Sequence, residues 1–266
     1  MSVRKRNNVH VVGDPTGQTV VLAHGFGCDQ NLWRRVVDRL APRFRVVLFD
    51  HVGCGAADPG AWDEQRYSTL QGYTDDILEI LHDLELRDVV FVGHSVAAMM
   101  GVLAVAADPV PFAKLVLLTP SPSYLDDDGY VGGFSRADVD ELLASMESNY
   151  LGWSRTMAPN IMGTPDRPEL GDELADTFCR TDPAMSRVFA RTTFLSDNRD
   201  DLNRVAVPTL IIECAHDTLA PREVGSYVHR QIEGSTLVTL DAWGHCPHVS
   251  APADTTDAII EFIGTR

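Results

Sequence analysis

Short apolar runs bounded by Gly, Pro and Asp recur along the first half of this chain, and each predicts a buried strand. They fall at residues 19–23, 44–49, 88–92 and 114–118. A run at 8–12, followed by Gly13-Asp14-Pro15-Thr16-Gly17, predicts an opening hairpin. Between the runs the period changes. Residues 31–40 predict a short helix, and Ile77, Leu78, Ile80, Leu81 and Leu84 recur at helical spacing. Residues 96–107 are small or apolar all round, as in a helix buried on every side. Strands alternating with helices predict an α/β architecture, a mostly parallel twisted sheet covered on both faces. No internal repeat is present.

The alternation stops after Pro120-Ser121-Pro122. From Ser135 to about residue 195 the pattern is helical, with pieces at 137–147, 150–161, 169–179 and 184–195. Asp182-Pro183 suits the start of the last piece, with Pro in its first turn. Strand patterning resumes at Val207, with runs at 208–216 and 235–241. A helical block set between the sixth and seventh core strands reads as a lid. It would cover the carboxyl ends of the strands, where such a sheet binds its ligand. The chain thus divides into a core of residues 1–121 and 196–266 and a lid of 122–195. Phe134, Trp153, Phe189 and Phe194, with Leu219 beyond the block, are candidates for the lining of an apolar pocket. Packing of lid on core is the alternative for each.

Chemistry concentrates where the run at 88–92 meets the helix at 96–107. Gly93-His94-Ser95-Val96-Ala97 places a serine where a strand turns sharply into a helix, the pattern of a nucleophile elbow. The turn demands small neighbours two positions either side. Gly93 meets this, and Ala97 replaces the usual glycine. The plain alternative is a serine capping a core helix. A serine hydroxyl needs a base, and in the α/β-hydrolase fold acid and base follow the serine in that order. Asp217, just past the run at 208–216, is the candidate acid, and His245 the candidate base. The acid would fix the imidazole tautomer and stabilise the imidazolium. Asp241 and His248 are the competitors. His248 is expected to open the last helix, His216 to lie in a loop, and Asp50, which precedes Ser95, to order a loop. His24-Gly25-Phe26-Gly27 follows the run at 19–23. An N–H from this loop, assigned to Phe26, would join that of Val96 as an oxyanion hole.

Composition narrows the partners. The chain has 266 residues, 44% of them apolar, and a net charge of −16 from 38 acidic and 22 basic side chains. The apolar share suits a globular core. The negative charge disfavours nucleic acid or an anionic membrane as main partner. Five cysteines, at 28, 54, 179, 214 and 246, show no paired spacing, which favours a reducing compartment and predicts a cytoplasmic protein. The basic first residues have no apolar run behind them, so no signal peptide is expected, and no stretch reaches membrane-span length. His245, Cys246 and His248 lack a second ligand cluster, so no metal is expected. No phosphate loop or dinucleotide fingerprint implies a cofactor.

Five stretches carry a family resemblance: residues 24–30 (HGFGCDQ), 48–53 (LFDHVG), 92–96 (VGHSV), 149–153 (NYLGW) and 244–248 (GHCPH). Residues 194–202, FLSDNRDDL, add a sixth. On these the chain resembles the RsbQ-type α/β-hydrolases, whose relatives include the plant strigolactone and karrikin receptors. Departures are Ala97 and His51, where bacterial members tend to carry Tyr. The resemblance implies a four-helix lid over a buried hydrophobic pocket. It also implies Ser95, Asp217 and His245 as triad, with Phe26 and Val96 as oxyanion donors. For function it implies either hydrolysis of a small apolar ester or lactone, or a slow-turnover module that senses a small signal molecule. It also implies a PAS-containing phosphatase as partner. Hydrolysis of carbon–carbon bonds uses the same three residues and stays open.

Overall fold

The computed structural model describes residues 1–265. Seven strands form one sheet: β1 (His10–Gly13), β2 (Thr19–Ala23), β3 (Arg45–Leu48), β4 (Val89–His94), β5 (Phe112–Leu118), β6 (Thr209–His216) and β7 (Thr236–Trp243). The helices are α1 (Val3–Arg6), α2 (Arg34–Leu40), α3 (Glu64–Tyr67), α4 (Leu70–Asp83), α5 (Val96–Ala107), α6 (Arg136–Ser148), α7 (Tyr150–Met162), α8 (Pro168–Arg180), α9 (Pro183–Phe194), α10 (Arg222–Gln231), α11 (Pro247–Ser250) and α12 (Pro252–Gly264). The strands lie in the order β1-β3-β2-β4-β5-β6-β7. All neighbours run parallel except β1, which is antiparallel to β3 at the edge.

Strand alternation divides the core. Val21, Val47, Phe91, Leu115 and Ile211 face the helices α4, α5 and α10. Val20, Val46, Val90, Val116 and Leu210 face α2 and α12. Both faces are covered, which is why the central strands read as unbroken apolar runs instead of alternating ones. A third apolar cluster joins α6, α7, α8 and α9 to the loops at the carboxyl ends of the strands. Among the described residues no helix is long and apolar enough to cross a membrane.

Two expectations change. The opening segment is not a hairpin: β1 pairs with β3 and makes no ladder with β2. The Asp14 N–H donates to the carbonyls of Ala41 and Phe44, both at 3.0 Å. The turn is thereby tied to the start of β3, and the chain crosses that strand before β2 begins. The four-helix block lies between the fifth and sixth strands, one earlier than expected. Only β1 to β5, at the five apolar runs named above, precede it. The four helices themselves begin and end within two residues of their predicted bounds.

Candidate active site

Ser95 is the hinge residue between β4 and α5, with φ 57° and ψ −125°, a conformation most side chains avoid. Its backbone is held from both sides. The Ser95 N–H donates to the Leu118 carbonyl at 2.9 Å, and the Ala98 N–H donates to the Ser95 carbonyl at 2.9 Å. The turn is too tight for a side chain at Gly93, where a Cβ would lie 2.4 Å from the Ala97 carbonyl oxygen. The methyl of Ala97 is fully buried in the core under the elbow.

Asp217 follows the last residue of β6, and His245 follows β7 by one glycine. The structure brings both to Ser95. His245 Nε2 lies 2.8 Å from Ser95 Oγ, and His245 Nδ1 lies 2.8 and 3.0 Å from the Asp217 carboxylate oxygens. With a carboxylate as acceptor, Nδ1 carries the proton and Nε2 is free to accept one. Asp217 Oδ1 also accepts the N–H groups of Leu219 at 2.8 Å and Ala220 at 3.1 Å, which fixes the carboxylate plane. The imidazole is anchored through its own backbone. The His245 N–H donates to the Ile161 carbonyl at 2.8 Å. Its carbonyl accepts His94 Nε2 at 2.8 Å and Thr119 Oγ1 at 3.1 Å.

The loop at residues 24–27 abuts the elbow. A Cβ on Gly25 would stand 3.0 Å from Ser95 Cβ, so only glycine lets this backbone approach. Phe26 lies in that loop. Val96 is the first residue of α5, where N–H groups have no acceptor within the helix. The two predicted oxyanion donors thus flank the serine from separate elements.

A cavity lies directly over Ser95 and His245, with a volume of about 30 Å³. Of the residues predicted to line it, Trp153, Phe194 and Leu219 do. Phe134 does not: it packs behind the wall, 6.4 Å from the Tyr124 ring and 6.5 Å from that of Phe194. Phe189 does not either. Its ring stacks on Tyr73 at 4.6 Å and 25°, on the sheet side of α9. Tyr124, Phe178, Ile161, Leu174 and Thr193 line the cavity and were not singled out from sequence. Tyr124 is the consequential omission: its hydroxyl lies 3.3 Å from Ser95 Oγ. Burial raises the Tyr124 phenol well above its ordinary value, so it stays protonated. Tyr124 precedes the helical block in a stretch without periodicity, which offered no signal.

The competing residues lie elsewhere. Asp241 is exposed on β7, and His216 ends β6 instead of entering a loop, stacked on Trp243 at 3.9 Å. His248 does not open the last helix. It sits in the single turn α11, fully buried between Trp33 and His94, each 4.4 Å away between ring centroids. Asp50 accepts hydrogen bonds from the Gln30 N–H (2.9 Å), Asn8 Nδ2 (2.7 Å) and the Ala56 N–H (2.9 Å), tying three loops together. His51 is buried beside it, its Nε2 donating to the His24 carbonyl at 3.0 Å. Cys246 lines the cavity, and burial holds its thiol neutral. Among the described residues no cluster of His, Cys, Asp and Glu could hold a metal ion.

Comparison with known proteins gives the same fold and chemistry class. The alpha/beta hydrolase family profile matches residues 20–258. Strigolactone esterase D14 of Arabidopsis thaliana is 40% identical over 248 residues, 92% of this chain and 92% of that protein. Karrikin insensitive 2 receptor CA of Petunia hybrida is 39% identical over 262 residues, 98% of this chain and 97% of that protein. A solved hydrolase from Oleispira antarctica has a TM-score of 0.96 and 41% identity, covering 99% of this chain and 97% of that one. The chain therefore belongs to the alpha/beta hydrolase family, and the relatives it matches over nearly their full length include a strigolactone esterase and a karrikin insensitive 2 receptor.

Proposed function

We propose that this hydrolase cleaves a small hydrophobic ester or lactone with Ser95 as nucleophile, His245 as general base and Asp217 as the carboxylate that orients it. The carrying observation is the unbroken hydrogen-bonded chain from Asp217 through His245 to Ser95, opening on an apolar cavity. His245 Nε2 takes the Ser95 proton as Oγ attacks the carbonyl carbon. The imidazolium so formed is stabilised by Asp217. The N–H groups of Phe26 and Val96 receive the oxygen on which charge develops, a contribution of about 10²–10³ in rate per donor. His245 returns its proton to the leaving oxygen, and water then releases the acyl group by the same route reversed.

The test is hydrolysis of p-nitrophenyl acetate and butyrate by the parent protein and by Ser95→Ala, with intact-mass detection of an adduct. Activity should fall by about 10⁴-fold or more in the variant, and an acyl adduct should appear only on the parent. Equal rates in both proteins would refute the assignment.

One observation favours a second reading, a ligand-sensing module with slow turnover. The cavity is far smaller than the roughly 300–1,000 Å³ of ordinary ligand sites. A ligand therefore enters only if the wall that α7 and α8 give to the cavity shifts, and residues 122–195 then act as a lid on the core of 1–121 and 196–266. The relative named a karrikin insensitive 2 receptor supports this reading. A partner that reads lid position, such as the PAS-containing phosphatase implied by the sequence resemblance, belongs to it, as does a cytoplasmic setting.

A further inference from the structure

Thr193 lines the cavity from α9 and is 2% exposed. Its hydroxyl has no hydrogen-bond partner. Several buried helical Ser and Thr side chains in this protein bond the carbonyl four residues back, although Ser186, earlier on α9 and off the cavity, is also without a partner. Thr74 bonds Leu70 at 3.0 Å, Ser154 bonds Tyr150 at 2.8 Å, and Thr177 bonds Glu173 at 2.9 Å. The Thr193 hydroxyl makes no bond to the corresponding acceptor, the Phe189 carbonyl. The neighbouring Thr192 donates to the Tyr67 carbonyl at 3.2 Å, which pins α9 against the core and fixes how it is turned. Thr193 Oγ1 is thus held in the wall as an idle donor and acceptor. Buried polar groups in native proteins are nearly always paired, so an idle one asks what completes it.

Of the other polar groups on the wall only His94 Nδ1 also lacks a partner. Ser95 and His245 bond each other, and Tyr124 reaches Ser95. His94 spends Nε2 on the His245 carbonyl. Its Nδ1 faces backbone, since a Cβ on Gly25 would come within 2.8 Å of it. Burial keeps the Cys28 and Cys246 thiols neutral. The remaining wall is aromatic or aliphatic.

We propose that Thr193 determines specificity by bonding a second oxygen of the substrate, one set apart from the scissile carbonyl. The substrate class is then a small oxygenated ester or lactone, not a plain hydrocarbon ester. The proposal rests on the reading of Ser95 given above. A site that hydrogen-bonds a substrate oxygen discriminates against the analogue lacking it, because its own group is left unpaired.

The test uses p-nitrophenyl esters in pairs that differ only by oxygen for methylene. The pairs are methoxyacetate against butanoate, 3-methoxypropanoate against pentanoate, and 4-methoxybutanoate against hexanoate. Each kcat/KM is divided by the rate of the same ester with hydroxide, which removes intrinsic reactivity. The parent should favour the oxygenated member of at least one pair by about tenfold. Thr193→Val keeps the shape and should bring that ratio close to one, whatever the absolute rates. Thr193→Ser should restore it. A ratio near one for every pair in the parent, or a preference that survives in Thr193→Val, overturns the proposal. A Ser95→Ala arm separates the two levels: hydrolysis that does not depend on Ser95 refutes the underlying assignment instead.

Discussion

At the scale of the residue, the serine turn is a steric problem solved by its neighbours. Ser95 holds a positive φ, and the space on one side is closed by a carbonyl. Gly93→Ala should therefore destabilise the fold by roughly 1–3 kcal/mol, the range for overpacked cores. Thermal unfolding checks this, and a melting temperature equal to the parent's would contradict it. The elbow was legible because a glycine, a serine and a small residue at fixed spacing between strand and helix is a local pattern. Asp217 and His245 were legible because they follow strand ends in chain order. Tyr124 was not, since its place beside Ser95 depends on a loop fold without period. Phe189 and Phe194 illustrate a different limit. Five residues apart, they point roughly 140° away from each other around the helix. Sequence marks both as apolar but not which of two apolar faces, core or cavity, each one meets.

At the scale of the element, two of the ties between the four-helix block and the core contrast in kind. The carboxyl end of α7 is held by the loops that carry Asp217 and His245. The Thr218 hydroxyl donates to the Asn160 carbonyl at 3.3 Å, and the His245 N–H donates to that of Ile161. Helix ends leave such carbonyls free, and here the site itself consumes them. Helix α8, which gives Leu174 and Phe178 to the cavity, is instead latched by charge. Glu173 bonds Arg34 Nη2 at 2.7 Å and Arg35 Nη2 at 2.9 Å, both on α2. These groups are partly exposed, so the latch contributes only about 1 kcal/mol. That is enough to bias a closed cavity. Glu173→Gln should raise kcat/KM for bulky p-nitrophenyl esters about two- to fivefold, by the same arithmetic. High salt should do the same to the parent and little to the variant. Unchanged rates with long-chain esters would show that opening does not pass through α8. The helices of the block were legible from period and from caps such as Asp182 before Pro183. The pairing of β1 with β3 was not, because strand partnership is set by tertiary contacts and the local turn suits a hairpin equally well.

At the scale of the whole molecule, burial of histidines behind the site sets how the fold responds to acid. His24, His51, His94 and His248 are almost wholly excluded from solvent. Each is held below the ordinary histidine value, with burial the largest cause. His248 is pushed down to about 3, with His245 and Arg35 adding to the effect and Glu173 opposing it. Its two ring nitrogens have no hydrogen-bond partner to compensate a charge there. The direction follows from proton counting. Between about pH 6.5 and 3 the unfolded chain binds a proton at His248 that the folded chain refuses. Stability from this residue is complete above pH 6.5 and falls as the pH drops through that window. The slope is at most about 1.4 kcal/mol per pH unit. Lowered carboxylates such as Glu173, at about 2, act in the same direction, but only below their own unfolded value near 4.5. Histidine-driven loss therefore precedes carboxylate-driven loss on acidification. Melting temperature measured from pH 7.5 to 4.5 should begin to fall just below 6.5. His248→Phe keeps a flat ring between Trp33 and His94 and removes the proton. Its decline between pH 6.5 and 5 should be shallower than the parent's, whatever its stability at pH 7.5. Parallel declines in the two proteins would place the acid sensitivity on the other buried histidines, and a parent curve flat to pH 5 would show that these rings accept protons without unfolding.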